Sequence, residues 1–400
     1  MGRTGKIVTI LSKTAACIGL IAFLAIAATS YSPVYCFQEP SPFKGPDIYN
    51  PYSGLDTAHC WKRANFHTHT KVEGPLNECE YWPAQVLEAY RNFGYDIVTF
   101  SNHNALTVHP TDTSLQVNVY EHGYNLLKYH KLVFGCDKVR HYDHLLPIFA
   151  FQRQHQIDYL GKDSDIIQIN HPLRTHGSSR GIMQKLSGYH IMELDSGKST
   201  ENEYWDWALS AGHYSFGLAG DDLHYPDRSR CIAVRSSFLC CPSESYEDIK
   251  KTLQNGCFYS MRIPDYGHGD WKLKYEGNRS IPEIEHIGLT DSTIRMTLSQ
   301  RADSIKVTGQ DHVTLRKAVL TDSLDYTMSH DTPYARLTAY FPGGEVIYTN
   351  PFARYDSALS DTPYATDTNK VNIALSILYN LFIALLCIGT ICLIVKLIRR

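Results

Sequence analysis

The stretch Ala64-Asn65-Phe66-His67-Thr68-His69 decides how this chain is read. It is a short apolar run ending in two histidines at i and i+2, and on a strand those side chains point to one side, where they suit a single metal ion. Four later stretches end in the same manner. Ser101-Asn102-His103-Asn104, Tyr120-Glu121-His122-Gly123, Asn170-His171-Pro172 and Gly220-Asp221-Asp222-Leu223-His224 each follow an apolar, β-branched run. Taken singly, each has a plainer reading: His103 as a turn residue, His171-Pro172 as a strand end, Glu121 as a solvated carboxylate, Asp221-Asp222 as a loop. Together they place an imidazole or carboxylate at successive strand ends, which is where an α/β barrel gathers its reactive groups.

The alternation of hydrophobic periods supports that architecture. Strand-like runs cover residues 64–69, 96–103, 117–121, 165–171, 190–194, 214–221 and 257–261, and helix-like stretches cover 83–93, 144–160, 181–186, 200–211 and 246–254. Strand and helix alternating in this way predict a parallel, closed sheet. Beyond residue 269 the pattern switches to period two, as in Ile294-Arg295-Met296-Thr297-Leu298 and Glu345-Val346-Ile347-Tyr348, which predicts an antiparallel β-sandwich.

With these motifs together, the chain resembles the PHP-domain (polymerase and histidinol phosphatase) metallohydrolases, in their extracytoplasmic group, over roughly residues 60 to 262. The resemblance rests on the His-x-His strand, a turn like Thr-Asp-His-Asn (here Ser101 to Asn104), a Glu followed by a His, a His-Pro turn and an Asp-x-His. It implies a distorted seven-stranded α/β barrel, two or three divalent metals (Mn, Zn or Fe) and hydrolysis, mostly of phosphoesters, by a metal-bridging hydroxide. Carried over residue by residue, it implies a first metal on His67, His69, Glu121 and Asp222, with Glu121 bridging to a second completed by His130 and His171. A third is implied between Glu73, His103 and His224. Asn102 stands where the family has Asp, which removes one negative charge near that third site. His122 is open as an alternative to His130, and Asp221 to Asp222; the period-two spacing to His224 favours Asp222. Tyr348-Thr349-Asn350-Pro351-Phe352 resembles the end of the β-module that follows the barrel in some extracytoplasmic members.

Beside the metals, His176 is a candidate proton donor to the leaving group, and Arg174, Arg180, Arg228 and Arg230 are candidate phosphate anchors because guanidinium groups fork onto phosphate oxygens. The expected reaction is phosphomonoester or phosphodiester hydrolysis of a small substrate, with a lipid or sugar headgroup among the candidates. Hydrolysis of a carbamate, amide or carboxylic ester, and a non-catalytic metal-stabilised binding module, are the alternatives.

The ends of the chain set the location. Residues 15–29 are uncharged and mostly apolar after Arg3, Lys6 and Lys13, as in a signal peptide or signal anchor. Residues 371–395 carry no charge, are long enough for a ~30 Å hydrocarbon core, and precede Lys396, Arg399 and Arg400. Positive charge outside both segments puts the domain between them on the far side of the membrane, in the periplasm or at the cell exterior. The expected organisation is 1–35 signal or anchor, 36–59 linker, 60–268 barrel, 269–355 sandwich, 356–370 linker, 371–395 transmembrane helix and 396–400 cytoplasmic tail. A net charge of −3 gives no nucleic-acid footprint. Cys36, Cys60, Cys79, Cys136, Cys231, Cys240, Cys241 and Cys257 lie outside the apolar ends, an even set compatible with disulfides.

Overall fold

The structure is a computed structural model that describes residues 3–55, 61–74, 77–195, 202–364 and 369–399. Its described strands form two main sheets. The smaller has five strands in the order Val119–His122, Lys131–Phe134, Ile166–Ile169, Ile191–Glu193 and Phe216–Leu218. Its first two pairings are antiparallel and its last two parallel. In the larger, Lys62–Asn65 runs parallel to Ile97–Val98 and antiparallel to Arg235–Leu239. That strand leads through Phe258–Arg262 and Val346–Thr349 to Tyr334–Tyr340 and Thr293–Thr308.

The expected closed barrel is therefore corrected to two sheets that touch edge to edge. Thr68 bridges Leu223, and His103 bridges Glu121, each as an isolated pair. The ladders stop there because the chain turns out of the extended region at or beside the ligand-bearing positions: Asn104, next to His103, and His171 and Asp222 all have positive φ, at 49°, 27° and 52°. Two strands absent from the sequence reading, Lys131–Phe134 and Arg235–Leu239, complete the sheets.

The expected separate sandwich is corrected as well. Its strands alternate as read, but Val346–Thr349 pairs directly with Phe258–Arg262, so the period-two region continues the larger sheet. Asn350 shows why the join holds. Its amide donates to the carbonyls of Gly256 (2.8 Å) and Phe258 (3.0 Å) and accepts from the Gly217 N–H (2.9 Å), tying the two sheets through one side chain. One apolar core lies around the smaller sheet, with Phe66, Leu132, Ile169 and Trp205, and a second under the larger, with Tyr259, Ile294, Ile305 and Ile347.

Helices Pro83–Arg91, Ala150–Leu160, Glu203–Ser210 and Tyr246–Asn255 fall where the 3.6-residue period places them. Pro at the first position starts the first, and Ser245, accepting from the Asp248 N–H, caps the last. Two apolar helices, Ile10–Thr29 within Arg3–Thr29 and Ile373–Arg399, are long and apolar enough to cross a membrane. Cys36, Cys79, Cys136, Cys231, Cys241 and Cys257 are free thiols, and Cys60 lies outside the described residues.

Candidate metal centre

The ligand candidates come from both sheets and meet where their strand ends face each other. His67 and His69 follow Lys62–Asn65, and His103 follows Ile97–Val98, in the larger sheet. Glu121 lies within Val119–His122, His130 precedes Lys131–Phe134, His171 follows Ile166–Ile169, and Asp222 and His224 follow Phe216–Leu218, in the smaller.

Glu121 is the centre. Its Oε1 lies 3.1 Å from His130 Nδ1 and 3.2 Å from His171 Nε2. Its Oε2 lies 3.3 Å from His67 Nε2, 3.2 Å from His69 Nε2 and 3.1 Å from His103 Nε2. Asp222 Oδ1 is 3.2 Å from both His67 Nε2 and His69 Nε2. Ligand atoms bonded tetrahedrally to one ion at about 2.1 Å lie about 3.4 Å apart, so these separations match a shared metal. Three sets emerge: His67, His69, Glu121 and Asp222; His69, Glu78 and His103; and His103, Glu121 and His130.

Glu73 does not join them. It is exposed, and Glu78 stands in its place, 3.0 Å from His103 Nε2 and 3.4 Å from His224 Nε2. The Lys71 N–H donates to the Tyr81 carbonyl at 2.7 Å, and with the chain held there it is Glu78, not Glu73, that stands beside His103 and His224. Of the open alternatives, His122 points away and contacts the Tyr142 carbonyl at 3.0 Å. Asp221 also points away, accepting from the Tyr90 hydroxyl and from the N–H groups of Ala233, Val234 and Arg235. Asn102 is structural: it accepts from the Thr70 N–H (2.7 Å) and donates to the Thr70 and Thr107 hydroxyls, and those two donated bonds are ones a carboxylate cannot make.

Behind the ligands sits Glu193, which the sequence reading passed over although it ends an apolar strand. It accepts from His67 Nδ1 at 2.7 Å and from the His171 N–H at 2.6 Å. With Nδ1–H committed to Glu193, the lone pair of His67 Nε2 faces Glu121 and Asp222, and that atom is buried without a hydrogen-bond partner. A carboxylate behind a ligating histidine orients the ring and raises its basicity. Asn170 adds a second brace, donating to Glu121 Oε1 at 2.8 Å. Space is as constrained as polarity: a Cβ at Gly220 would meet the His67 Cβ at 2.8 Å.

Imidazoles and carboxylates with buried, unshared lone pairs converging on common points fit divalent metal ions in chemistry and spacing. The charges agree. Burial pulls the Glu121 carboxyl up, but the histidines His103, His67 and His130 around it hold it well below the carboxylate range. Burial pulls His103 down, and the charge of Glu121 with the Glu78 contact outweighs it, carrying His103 up to about 9. His130 is lowered to about 4, with burial the largest cause. A metal binds only the neutral imidazole, so below about pH 9 it must displace the His103 proton. Affinity for Mn or Zn is therefore expected to rise from pH 6.5 to 9, with proton release on binding, and His67, where the pull of burial is outweighed by the charges of Glu193, Asp222 and Glu121, adds to that dependence. Calorimetry in buffers of different ionisation enthalpy measures this, and pH-independent binding over that range would contradict the arrangement.

The remaining candidates divide. Arg174 pairs with Asp222 at the mouth of the cluster. Arg180 is committed to Asp311 in the short turn that follows strand Thr293–Thr308. Arg228 stacks over the Tyr225 ring at 3.8 Å, one residue beyond His224. Arg230 is exposed beside Cys231. His176 is exposed and engages through its backbone, its N–H donating to the Leu127 carbonyl and its own carbonyl accepting from Arg153, so no contact places its ring at the cluster.

No family model and no curated protein matches the chain. Among solved structures it is similar to a two-domain protein containing a predicted PHP-like metal-dependent phosphoesterase from Bacteroides vulgatus, with 16% identity and a TM-score of 0.39 over 78% of this chain and 99% of that one. At that TM-score the function has to be argued from the site itself.

Proposed function

We propose that this protein is a membrane-anchored, metal-dependent hydrolase of phosphate esters. One observation carries the reading: the two oxygens of Glu121 face different donor groups, His130 and His171 on one side and His67, His69 and His103 on the other. A carboxylate so placed is suited to bridge two cations. When bound, such ions lower the pKa of coordinated water and polarise a phosphoryl oxygen. The chain's own groups do the rest. Glu193 and Asn170 orient the ligands, and Arg174 holds a guanidinium at the mouth where a substrate phosphate displaces or shares its contact with Asp222. The two apolar helices supply the anchor.

The test is made on the full chain in detergent, because the ordered domain bonds to both helices. Elemental analysis is expected to find at least two equivalents of Mn, Fe or Zn per chain. Phosphomonoesters or phosphodiesters are expected to turn over faster than carboxylic esters or carbamates. Metal near zero after add-back would overturn the proposal; faster carboxylic ester or carbamate turnover would move it to the carbonyl-directed alternative.

A further inference from the structure

The two apolar helices are not tethered to the domain by loose linkers. At the end of the first, the Thr29 carbonyl accepts from His144 Nδ1 at 2.5 Å and from the Tyr142 hydroxyl at 3.3 Å, and the Thr29 hydroxyl accepts from the Leu145 N–H at 3.2 Å. In the second, Asn380 exchanges hydrogen bonds with Ser32 in both directions, and the Tyr379 ring packs edge-on against Phe151 at 5.0 Å. Tyr31, two residues past the end of the first helix, and Tyr379, whose hydroxyl donates to the Ser30 carbonyl, are residues of the kind that mark a bilayer–water boundary. Residues 381–398 then extend about 27 Å, close to one hydrocarbon thickness.

These contacts fix which end of the domain faces the bilayer. Helix Ala150–Leu160 runs away from the boundary: its first turns meet Tyr379, whereas Asp158, near its far end, bonds Tyr35 and Gln154 bonds Asn369. The next strand, Ile166–Ile169, returns toward the boundary and delivers His171. The metal cluster thus lies at the membrane-facing end of the smaller sheet. Its loops are coupled to the helix ends through few bonds. The Leu126 N–H donates to the Leu145 carbonyl at 2.9 Å, the His176 N–H to the Leu127 carbonyl at 2.8 Å, and the Thr175 hydroxyl to the Lys128 carbonyl at 2.9 Å. The surface between site and helices is apolar and open: Leu126 is 64% exposed, Ile148 49% and Phe149 46%. Lys128 and Arg174 are exposed among them.

Large exposed apolar side chains continuous with two membrane helices need a nonpolar covering, and cations among them suit an anionic headgroup. We infer that the rim formed by Leu126, Ile148 and Phe149 sits in the bilayer interface, and that the substrate is the headgroup phosphate ester of an anionic lipid resident in that bilayer. This rests on the phosphoesterase reading. Water adds to phosphorus, the ester P–O bond breaks, and the lipid alcohol leaves with the water's proton while its chains stay in the membrane.

The experiment uses the full chain, metal-loaded and reconstituted in phosphatidylcholine vesicles containing phosphatidic acid or phosphatidylglycerol. Phe149→Trp and Leu126→Trp are expected to gain fluorescence that brominated lipid quenches, while Asp137→Trp, at the opposite end of the sheet, is not quenched. Ile148→Asp with Phe149→Asp is expected to cut vesicle lipid hydrolysis by roughly tenfold or more and to leave turnover of a soluble chromogenic phosphoester unchanged. Equal quenching at all three positions, or soluble esters hydrolysed with no vesicle lipid turned over, would overturn the inference. If no phosphoester of either kind is hydrolysed, the phosphoesterase reading and the lipid assignment fall together, and quenching still decides the orientation of the rim.

Discussion

Glu121→Gln is expected to remove bound metal and to lower turnover by roughly a thousandfold or more, the loss that follows when hydroxide can no longer be generated at neutral pH. The change keeps shape and burial almost intact, so the effect isolates charge. Glu121 lies against five histidines drawn from both sheets, and its carboxylate has acceptors on both sides. A glutamine keeps one acceptor and carries no charge, and its two N–H donors either tie up imidazole lone pairs that a metal needs or face a cation, which they repel. His103, raised chiefly by the Glu121 charge against the pull of burial, is also expected to become neutral at lower pH in the variant. Elemental analysis and turnover measured on one preparation decide the matter. A Gln variant that keeps two metals and wild-type turnover would place the bridge elsewhere.

Much of this site was legible because metal chemistry restricts residue type and strand geometry restricts spacing. His67, His69, His103, Glu121, His130, His171, Asp222 and His224 all stand at the cluster, and each lies at or near the end of a short apolar run. Glu73 and Glu78 could not be ranked from sequence, since the choice depends on how the loop after His69 folds back. Glu193 was hidden for a different reason: a carboxylate that braces a histidine from behind has no spacing signature, only a position at a strand end. The closed barrel was the natural reading of alternating strands and helices. Closure depends on ladder continuity, and the left-handed turns at Asn104, His171 and Asp222 interrupt it without leaving a glycine to mark the place. Lys131–Phe134 and Arg235–Leu239 escaped because a four-residue run and a pair of serines give too little pattern to read.

Neighbouring aspartates provide the sharpest contrast between folding and chemistry. Asp221→Ala is expected to destabilise the chain by about 3–5 kcal/mol, because the buried carboxylate is the acceptor for three backbone N–H groups, and each donor left unpaired costs roughly 1–3 kcal/mol. Those donors, Ala233 at 2.7 Å, Val234 at 3.0 Å and Arg235 at 2.8 Å, begin the strand that links the site to the centre of the larger sheet. The Tyr90 hydroxyl, at 2.9 Å, would lose its partner as well. Asp222→Asn removes a charge whose partners are the cluster itself, namely His67, His69 and Arg174. It also relieves repulsion with Glu121. Its metal-free form is therefore expected to stay within about 1 kcal/mol of the parent while binding metal much more weakly. Thermal unfolding of both variants with and without chelator separates the roles: Asp221→Ala melts roughly 10 °C lower in either condition, and Asp222→Asn loses only the increment that metal confers. The reverse pattern would mean that Asp221 is the ligand and Asp222 the brace, and the register of the Asp-x-His turn would have to shift by one residue, which the left-handed φ of 52° at Asp222 opposes.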